Sequence, residues 1–175
     1  MTTIPRAGVY IGRFCPLHHG HMKIIDEMIK HHGIDKCLIL IGSCNADISF
    51  RVLFKHSDRR RWIKRIYPDL KQLGLPDYPN DDTAWLTQVE DIVSLVFGKE
   101  CEPTFYGGCQ EDIEIFYDAG HHVKIIDRME YPVSATNVRQ LLLMNEDINT
   151  LVDTRISSEV IDVFRKRMKE LDKLR

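Results

Sequence analysis

Long hydrophobic runs, an excess of either charge and paired cysteines are all missing from this sequence. No apolar stretch approaches the roughly 20 residues needed to span a bilayer, so no transmembrane helix is expected. Lysine and arginine number 24 against 26 aspartate and glutamate, a net charge of −2, which argues against a surface built as a whole for nucleic acid or an anionic membrane. Any basic site must be local. The five cysteines (Cys15, Cys37, Cys44, Cys101 and Cys109) are odd in number and contain no Cys-x-x-Cys pair. With no signal-peptide pattern they read as reduced thiols of a cytoplasmic protein, and no Cys/His spacing matches a zinc site, so no protein-bound metal is expected. Repeats, low-complexity tracts and long linkers are lacking too. An apolar content of 43% over 175 residues suffices for one well-filled core, and a single domain spanning 1–175 is the expectation.

What is present is an alternation of strands and helices. Val9-Tyr10-Ile11 is a short apolar strand ending in Gly12, followed by Ile24, Ile25, Met28 and Ile29 at helical spacing, with Gly33 as C-cap. Cys37 to Ile41 is continuously apolar, as a parallel strand buried on both faces would be, and it exits into Gly42-Ser43. The segment from Asn45 to His56 reads as a loop. A helix is expected over Arg59–Leu73, and another carries Trp85, Leu86, Val89, Val93 and Val96. Thr104-Phe105-Tyr106 before Gly107-Gly108 reads as a third strand. A short helix over Ile113–Ala119, a strand at Val123–Ile126, a helix from Ser134 and a last helix over Ser158–Leu171 complete the pattern. The class is α/β, with a Rossmann-like doubly wound parallel sheet. Ligands bind such sheets beyond the carboxyl ends of strands, where Gly12, Gly42 and Gly107 fall.

Gly12-Arg13-Phe14-Cys15-Pro16-Leu17-His18-His19-Gly20-His21 joins the first strand to the first helix. His18 and His21 lie three apart at a helix N-terminus, where free backbone N–H groups and the helix dipole favour an anion. Gly20 between them would let a ligand approach the backbone. The second motif is Ser134-Ala135-Thr136-Asn137-Val138-Arg139. Ser134 suits an N-cap, and Thr136 and Arg139 share one face of the first turn. An arginine so early in a helix opposes the dipole, a cost that a bound anion reverses; the bland alternative is a cap followed by a solvated arginine. His31-His32 and His121-His122 are adjacent pairs, which diverge and suit a metal poorly; the first fits a helix C-terminus. Arg59-Arg60-Arg61 with Lys64 and Arg65 reads as a solvated face, with Arg59 turned to phosphate, in preference to a nucleic-acid patch.

Gly-Arg-Phe-x-Pro-x-His-x-Gly-His near the N-terminus, together with Ser-x-Thr-x-x-Arg from Ser134, resembles the nucleotidyltransferase superfamily. Arg13 after Gly12 resembles, within it, the archaeal-type nicotinamide mononucleotide adenylyltransferases and their bacterial and viral relatives. The similarity runs on through Ile41-Gly42-Ser43, Arg51, Phe54, Arg59, Trp85 and Tyr106-Gly107, and so spans most of the chain. Departures fall at Cys15 (usually Gln), Leu17 (usually Phe), Val52-Leu53 (usually Asn-Pro) and Gly108-Cys109 (usually Asn-Pro).

The resemblance implies a nucleotidyltransferase fold with a C-terminal helix. It also implies condensation of ATP with nicotinamide mononucleotide to NAD and pyrophosphate, with Mg2+ entering on ATP. His18, His21 and Arg139 would hold the triphosphate and the charge of the departing pyrophosphate. Gly12, Arg13, Phe14, Arg51, Ser134 and Thr136 complete the expected ATP site. On the acceptor side stand Ser43, Asp82, Trp85 and Gly107, with Trp85 stacked on the nicotinamide ring and Asp82 near its carboxamide. Simple core packing is the alternative for Trp85. The resemblance further implies a homo-oligomer, which no apolar stripe in the sequence establishes. Two rival functions stay open, a sister adenylyl- or cytidylyltransferase with another phosphorylated acceptor and a non-catalytic nucleotide sensor.

Overall fold

The computed structural model describes residues 3–128 and 133–175. The elements run β1 (Arg6–Gly12), α1 (His19–His32), β2 (Cys37–Ile41), α2 (His56–Ile66), β3 (Lys71–Gly74), α3 (Asp82–Phe97), β4 (Glu102–Gly107), α4 (Gln110–Asp118), β5 (His122–Ile125), α5 (Ala135–Leu143) and α6 (Thr154–Lys173). The strands form one sheet in the order β3-β2-β1-β4-β5, and every pairing is parallel. The winding direction changes between β1 and β4, so the switch point lies beyond Gly12 and Gly107.

The two-residue side-chain period of a strand sorts the core into two layers. Val9, Leu38, Leu40 and Phe105 pack with Val89, Ile92 and Val93 of α3 and Phe116 of α4. Their neighbours Tyr10, Ile39, Ile41 and Tyr106 pack on the other face with α1, α2, α5 and α6, through Ile24, Trp62, Val138 and Val160 among others. Every residue of β2 is buried, which is why it reads as an unbroken apolar run. Fully burying each such side chain contributes roughly 1.5–3 kcal/mol.

The helix expected over Arg59–Leu73 is corrected. α2 starts at His56 and stops at Ile66, capped by Tyr67, because Pro68 disfavours helical backbone at the residue before it. Lys71–Gly74 then forms the edge strand β3 beside β2, with Leu38 opposite Lys71 and Ile41 opposite Gly74. It is a polar four-residue strand with alternate side chains exposed, and carries no apolar run to betray it. The last helix begins earlier than expected, at Thr154, where the Asp153 carboxylate accepts the Arg155 N–H.

A buried ion pair fastens α6 to α2. Arg167 donates from Nε and Nη2 to both oxygens of Asp58, at 2.9 and 2.8 Å, and from Nη1 to Glu170. Asp58 also accepts the Lys55 backbone N–H at 2.9 Å. Burial alone would raise the Asp58 carboxyl, but the Arg167 hydrogen bonds and charge outweigh it and hold it below the usual carboxylate range. Among the described residues no helix is long and apolar enough to cross a membrane.

Candidate functional site

The site begins with a helix cap made by two histidines. His18 is the N-cap of α1; its Nδ1 accepts the His21 N–H at 3.3 Å, while His21 Nδ1 accepts the His18 N–H at 3.2 Å. The rings stack with centroids 3.6 Å apart. Since each Nδ1 accepts, each neutral ring carries its proton on Nε2 and has that N–H free to donate. Both residues are buried. Burial, with the Arg128 charge second, pushes His18 down to about 3. His21 is held well below the ordinary histidine value by burial, then by His18 and Arg128. The pair is therefore neutral at physiological pH.

These rings line a cavity of about 340 Å³ at the switch point, together with Gly12, Arg13, Phe14, Arg128, Ser134, Thr136 and Arg139. Phe14 and Ser43, at the exits of β1 and β2, adopt left-handed φ values of 50° and 52°, a strained state for residues with a Cβ. Ser134 caps α5 by accepting the Asn137 N–H at 3.1 Å, which sets Arg139 one turn in. Arg139 donates from Nη1 to the Cys15 carbonyl at 2.8 Å and from Nη2 to Thr136 Oγ1 at 3.3 Å. Burial, and behind it repulsion by Arg13 and Arg51, lowers its pKa. Arg13 is lowered by burial and then by Arg51. Like charges crowded and partly desolvated gain from an incoming anion.

A second cavity of about 560 Å³ is lined by Asp77, Tyr78, Asp82, Trp85, Glu111 and Asp112, among others. Asp112 lines both cavities, so the two meet there. Trp85 packs against Phe116, with centroids 5.7 Å apart, and also lines this cavity. Ser43 lies behind the wall, donating from Oγ to Asp77 at 2.9 Å. Gly107 lines neither cavity; a Cβ there would come within 2.6 Å of Asp112 Cβ, so its bareness lets α4 approach the β4 exit.

Two expectations need correction. Arg59 does not face phosphate: it is 1% exposed and donates to the carbonyls of Arg13, Gly42 and Ser43 at 2.9, 2.7 and 3.1 Å. It ties the exits of β1 and β2 together. At Gly20 the space is taken by protein, since a Cβ would meet Arg128 Nη1 and the His18 ring, each at 2.9 Å. Arg51 is exposed and lines neither cavity, reaching the site through its charge. Sequence reasoning also missed Arg128 and Asp112. The strand-exit rule points to both, because Asp112 lies in the first turn after β4 and Arg128 three residues after β5.

A parallel sheet wound in both directions, with an anion-suited pocket over its switch point, defines a nucleotide-handling α/β protein of Rossmann-like class. More narrowly, the chain belongs to the cytidylyltransferase-like family, whose model matches residues 9–141. It is 29% identical over 175 residues to a nicotinamide-nucleotide adenylyltransferase of Methanococcus aeolicus, covering 93% of this chain and 92% of that one. A namesake from Methanothrix thermoacetophila is 29% identical over 181 residues, with 96% and 97% covered. Among solved structures, the bifunctional NMN adenylyltransferase/ADP ribose pyrophosphatase of Francisella tularensis, complexed with AMP and a Mn ion, superposes with a TM-score of 0.77 at 19% identity. That match takes in 98% of this chain but 54% of the other, so the chain spans about half of the bifunctional protein.

Proposed function

We propose that this protein is a nicotinamide-nucleotide adenylyltransferase, which transfers AMP from ATP to nicotinamide mononucleotide and releases pyrophosphate. The observation that carries the reading is the reciprocal His18–His21 cap beside Arg139, in a cavity that meets a Trp85-lined cavity at Asp112. Full-length similarity to archaeal adenylyltransferases supports the same reaction.

Both substrates are anions, and no side-chain nucleophile is required. A phosphate oxygen of the mononucleotide attacks the α-phosphorus of ATP in line; the new P–O bond forms as the bond to the β-phosphate oxygen breaks, and pyrophosphate leaves with the electron pair. Catalysis is then positioning and charge stabilisation. His18 and His21 donate from Nε2 to the triphosphate without bringing a charge that water would have to solvate. Arg139 stabilises charge on the departing pyrophosphate, held in place by Cys15 O and Thr136. Arg13 lies at the β1 exit to receive the reacting phosphates, and Arg51 adds long-range attraction. Gly12, Phe14 and Ser134 shape the nucleotide pocket, while Trp85 stacks on the nicotinamide ring with Asp82 near its carboxamide.

Among the described residues no three His, Cys, Asp or Glu side chains converge to hold a metal ion. The residues fit Mg2+ that enters on triphosphate oxygens, with Asp112 the carboxylate facing that cavity. When bound, the ion would offset phosphate charge. The test offers ATP, magnesium and, separately, nicotinamide, nicotinate and flavin mononucleotides and phosphopantetheine, with products identified by mass. NAD from the nicotinamide acceptor is the expected result. Pyrophosphate with a different acceptor alone would overturn the acceptor assignment, and ATP binding without turnover would leave a nucleotide sensor.

A further inference from the structure

Arg59 on α2 and Arg167 on α6 are both buried, but their partners differ. Arg167 faces a carboxylate, Asp58, as a structural clamp should. The hydrogen bonds of Arg59 among the described residues all go to backbone. Nη1 donates to the carbonyls of Arg13 and Gly42 at 2.9 and 2.7 Å, and Nη2 to that of Ser43 at 3.1 Å. Its Nε is buried with no partner among them. Desolvating a charge is costly, and neutral carbonyls offset less of that cost than a carboxylate would. Stability alone is a poor reason for a cation here.

The carbonyls that Arg59 binds belong to two strained turns. That of Arg13 lies in the peptide entering Phe14, and those of Gly42 and Ser43 lie in the peptides on either side of Ser43. Phe14 and Ser43 are the left-handed residues at the exits of β1 and β2, with φ of 50° and 52°. Returning either φ to the ordinary region would turn the peptide before it and carry a carbonyl away from Arg59. The planar guanidinium fork thus holds both residues in a conformation that sterics disfavour.

The first of those turns carries much of the candidate site. Arg13 lines the cavity over the switch point. Phe14 folds back over Gly12, where a Cβ would come within 3.1 Å of the ring, and packs on His21 with centroids 4.8 Å apart. The Cys15 carbonyl, one residue on, accepts Arg139 Nη1 at 2.8 Å. We infer that Arg59 is a positioning residue for the adenylyl transfer: through the backbone of residues 13–15 and 42–43 it sets the relative placement of Arg13, His21 and Arg139, while touching neither substrate. The inference rests on the reaction proposed above and adds a residue acting at one remove from it. Misplacing catalytic donors by about 1 Å costs on the order of 100-fold in rate. A lysine at this position, with one ammonium, cannot span three carbonyls.

The test measures kcat and both KM values for the native protein, Arg59→Lys and Arg167→Ala, well below each thermal midpoint so that every protein is folded. Arg59→Lys should lower kcat about 10- to 100-fold and change KM for ATP and the mononucleotide less than about 3-fold. Arg167→Ala, destabilised in the same helical layer, should keep kcat within a few-fold of native. In nuclear magnetic resonance spectra of the free proteins, the His21 ring signals should move in Arg59→Lys and stay in place in Arg167→Ala. A native kcat or unmoved His21 signals in Arg59→Lys would overturn the inference and leave the adenylyltransferase reading standing. So would turnover that falls only in step with loss of fold, or failure of both Arg59→Lys and the neutral Arg59→Gln to fold, since Arg59 would then be structural alone. Absence of turnover by the native protein would defeat the reading itself, and this inference with it.

Discussion

The two cavities that meet at Asp112 are built in opposite ways. The cavity proposed for the triphosphate is cationic and its central side chains are buried; His18 and His21 are locked by reciprocal backbone bonds, and Arg139 is held by a carbonyl and a hydroxyl. The cavity proposed for the acceptor is larger, exposed and acidic, with Tyr78 and Trp85 in its wall. The difference follows from what each must do. Charge moves at the triphosphate, so donors there must be in place before the reaction begins. The nicotinamide end of the acceptor undergoes no chemistry; it needs only to be stacked, oriented and told apart from near relatives.

The largest effect should come from the chemical side. Arg139→Ala should lower kcat by about 10²- to 10³-fold while the far-ultraviolet spectrum and thermal midpoint change little. Loss of fold in step with loss of turnover would make Arg139 structural instead. On the acceptor side, Trp85→Ala should raise KM for the mononucleotide roughly 10-fold and leave KM for ATP near native, with Trp85→Phe restoring most of the loss. Should the ATP constant rise with it, the division of labour between the cavities would be broken.

The histidine pair gives a sharper test without mutation. Folding lowers both pKa values from the unfolded value of about 6.5, so the unfolded chain binds more protons from there down to about 3, the folded value of His18. Their contribution to stability is complete above about pH 6.5 and is lost as pH falls through that window. In nuclear magnetic resonance spectra of the free protein, the rings of His18 and His21 should not titrate between about pH 7.5 and 5. A midpoint near 6.5 for either would contradict the neutral-donor account.

The smallest effect on catalysis should follow Arg167→Ala. Chemical denaturation should show a loss of about 3–5 kcal/mol, because Asp58 is left buried without its partner, while kcat near room temperature stays within a few-fold of native. Asp58 is held low in the fold, so its contribution is present above about pH 4 and disappears as acid protonates it. A large drop in kcat at unchanged stability would place α6 in the chemistry.

How much of this was legible in the sequence depends on whether a residue's role is local. β1, β2, α1 and the Ser134 cap could be read because an apolar run, a helical period or a capping side chain carries its signal within a few residues. β3 was not, since Lys71–Gly74 is polar and is a strand only because β2 offers an open edge. Arg59 was misplaced for a subtler reason. It falls with Trp62, Ile63 and Ile66 at i, i+3, i+4 and i+7, the buried face of α2, and that spacing should have outweighed its charge. His18 and His21 were visible as donors, but their mutual cap and neutral state depend on backbone angles and burial. Arg128 and Asp112 belong to no motif of their own, and only their place just after the exits of β5 and β4 points to them.

A single direct displacement between the two cavities is the central claim, and the configuration at phosphorus tests it most directly. ATP carrying one chirality of sulfur at the α-phosphate would be turned over with nicotinamide mononucleotide, and the configuration of the resulting thio-dinucleotide determined. One in-line attack predicts inversion. Retention would mean two displacements, and hence an adenylylated side chain that this account does not contain.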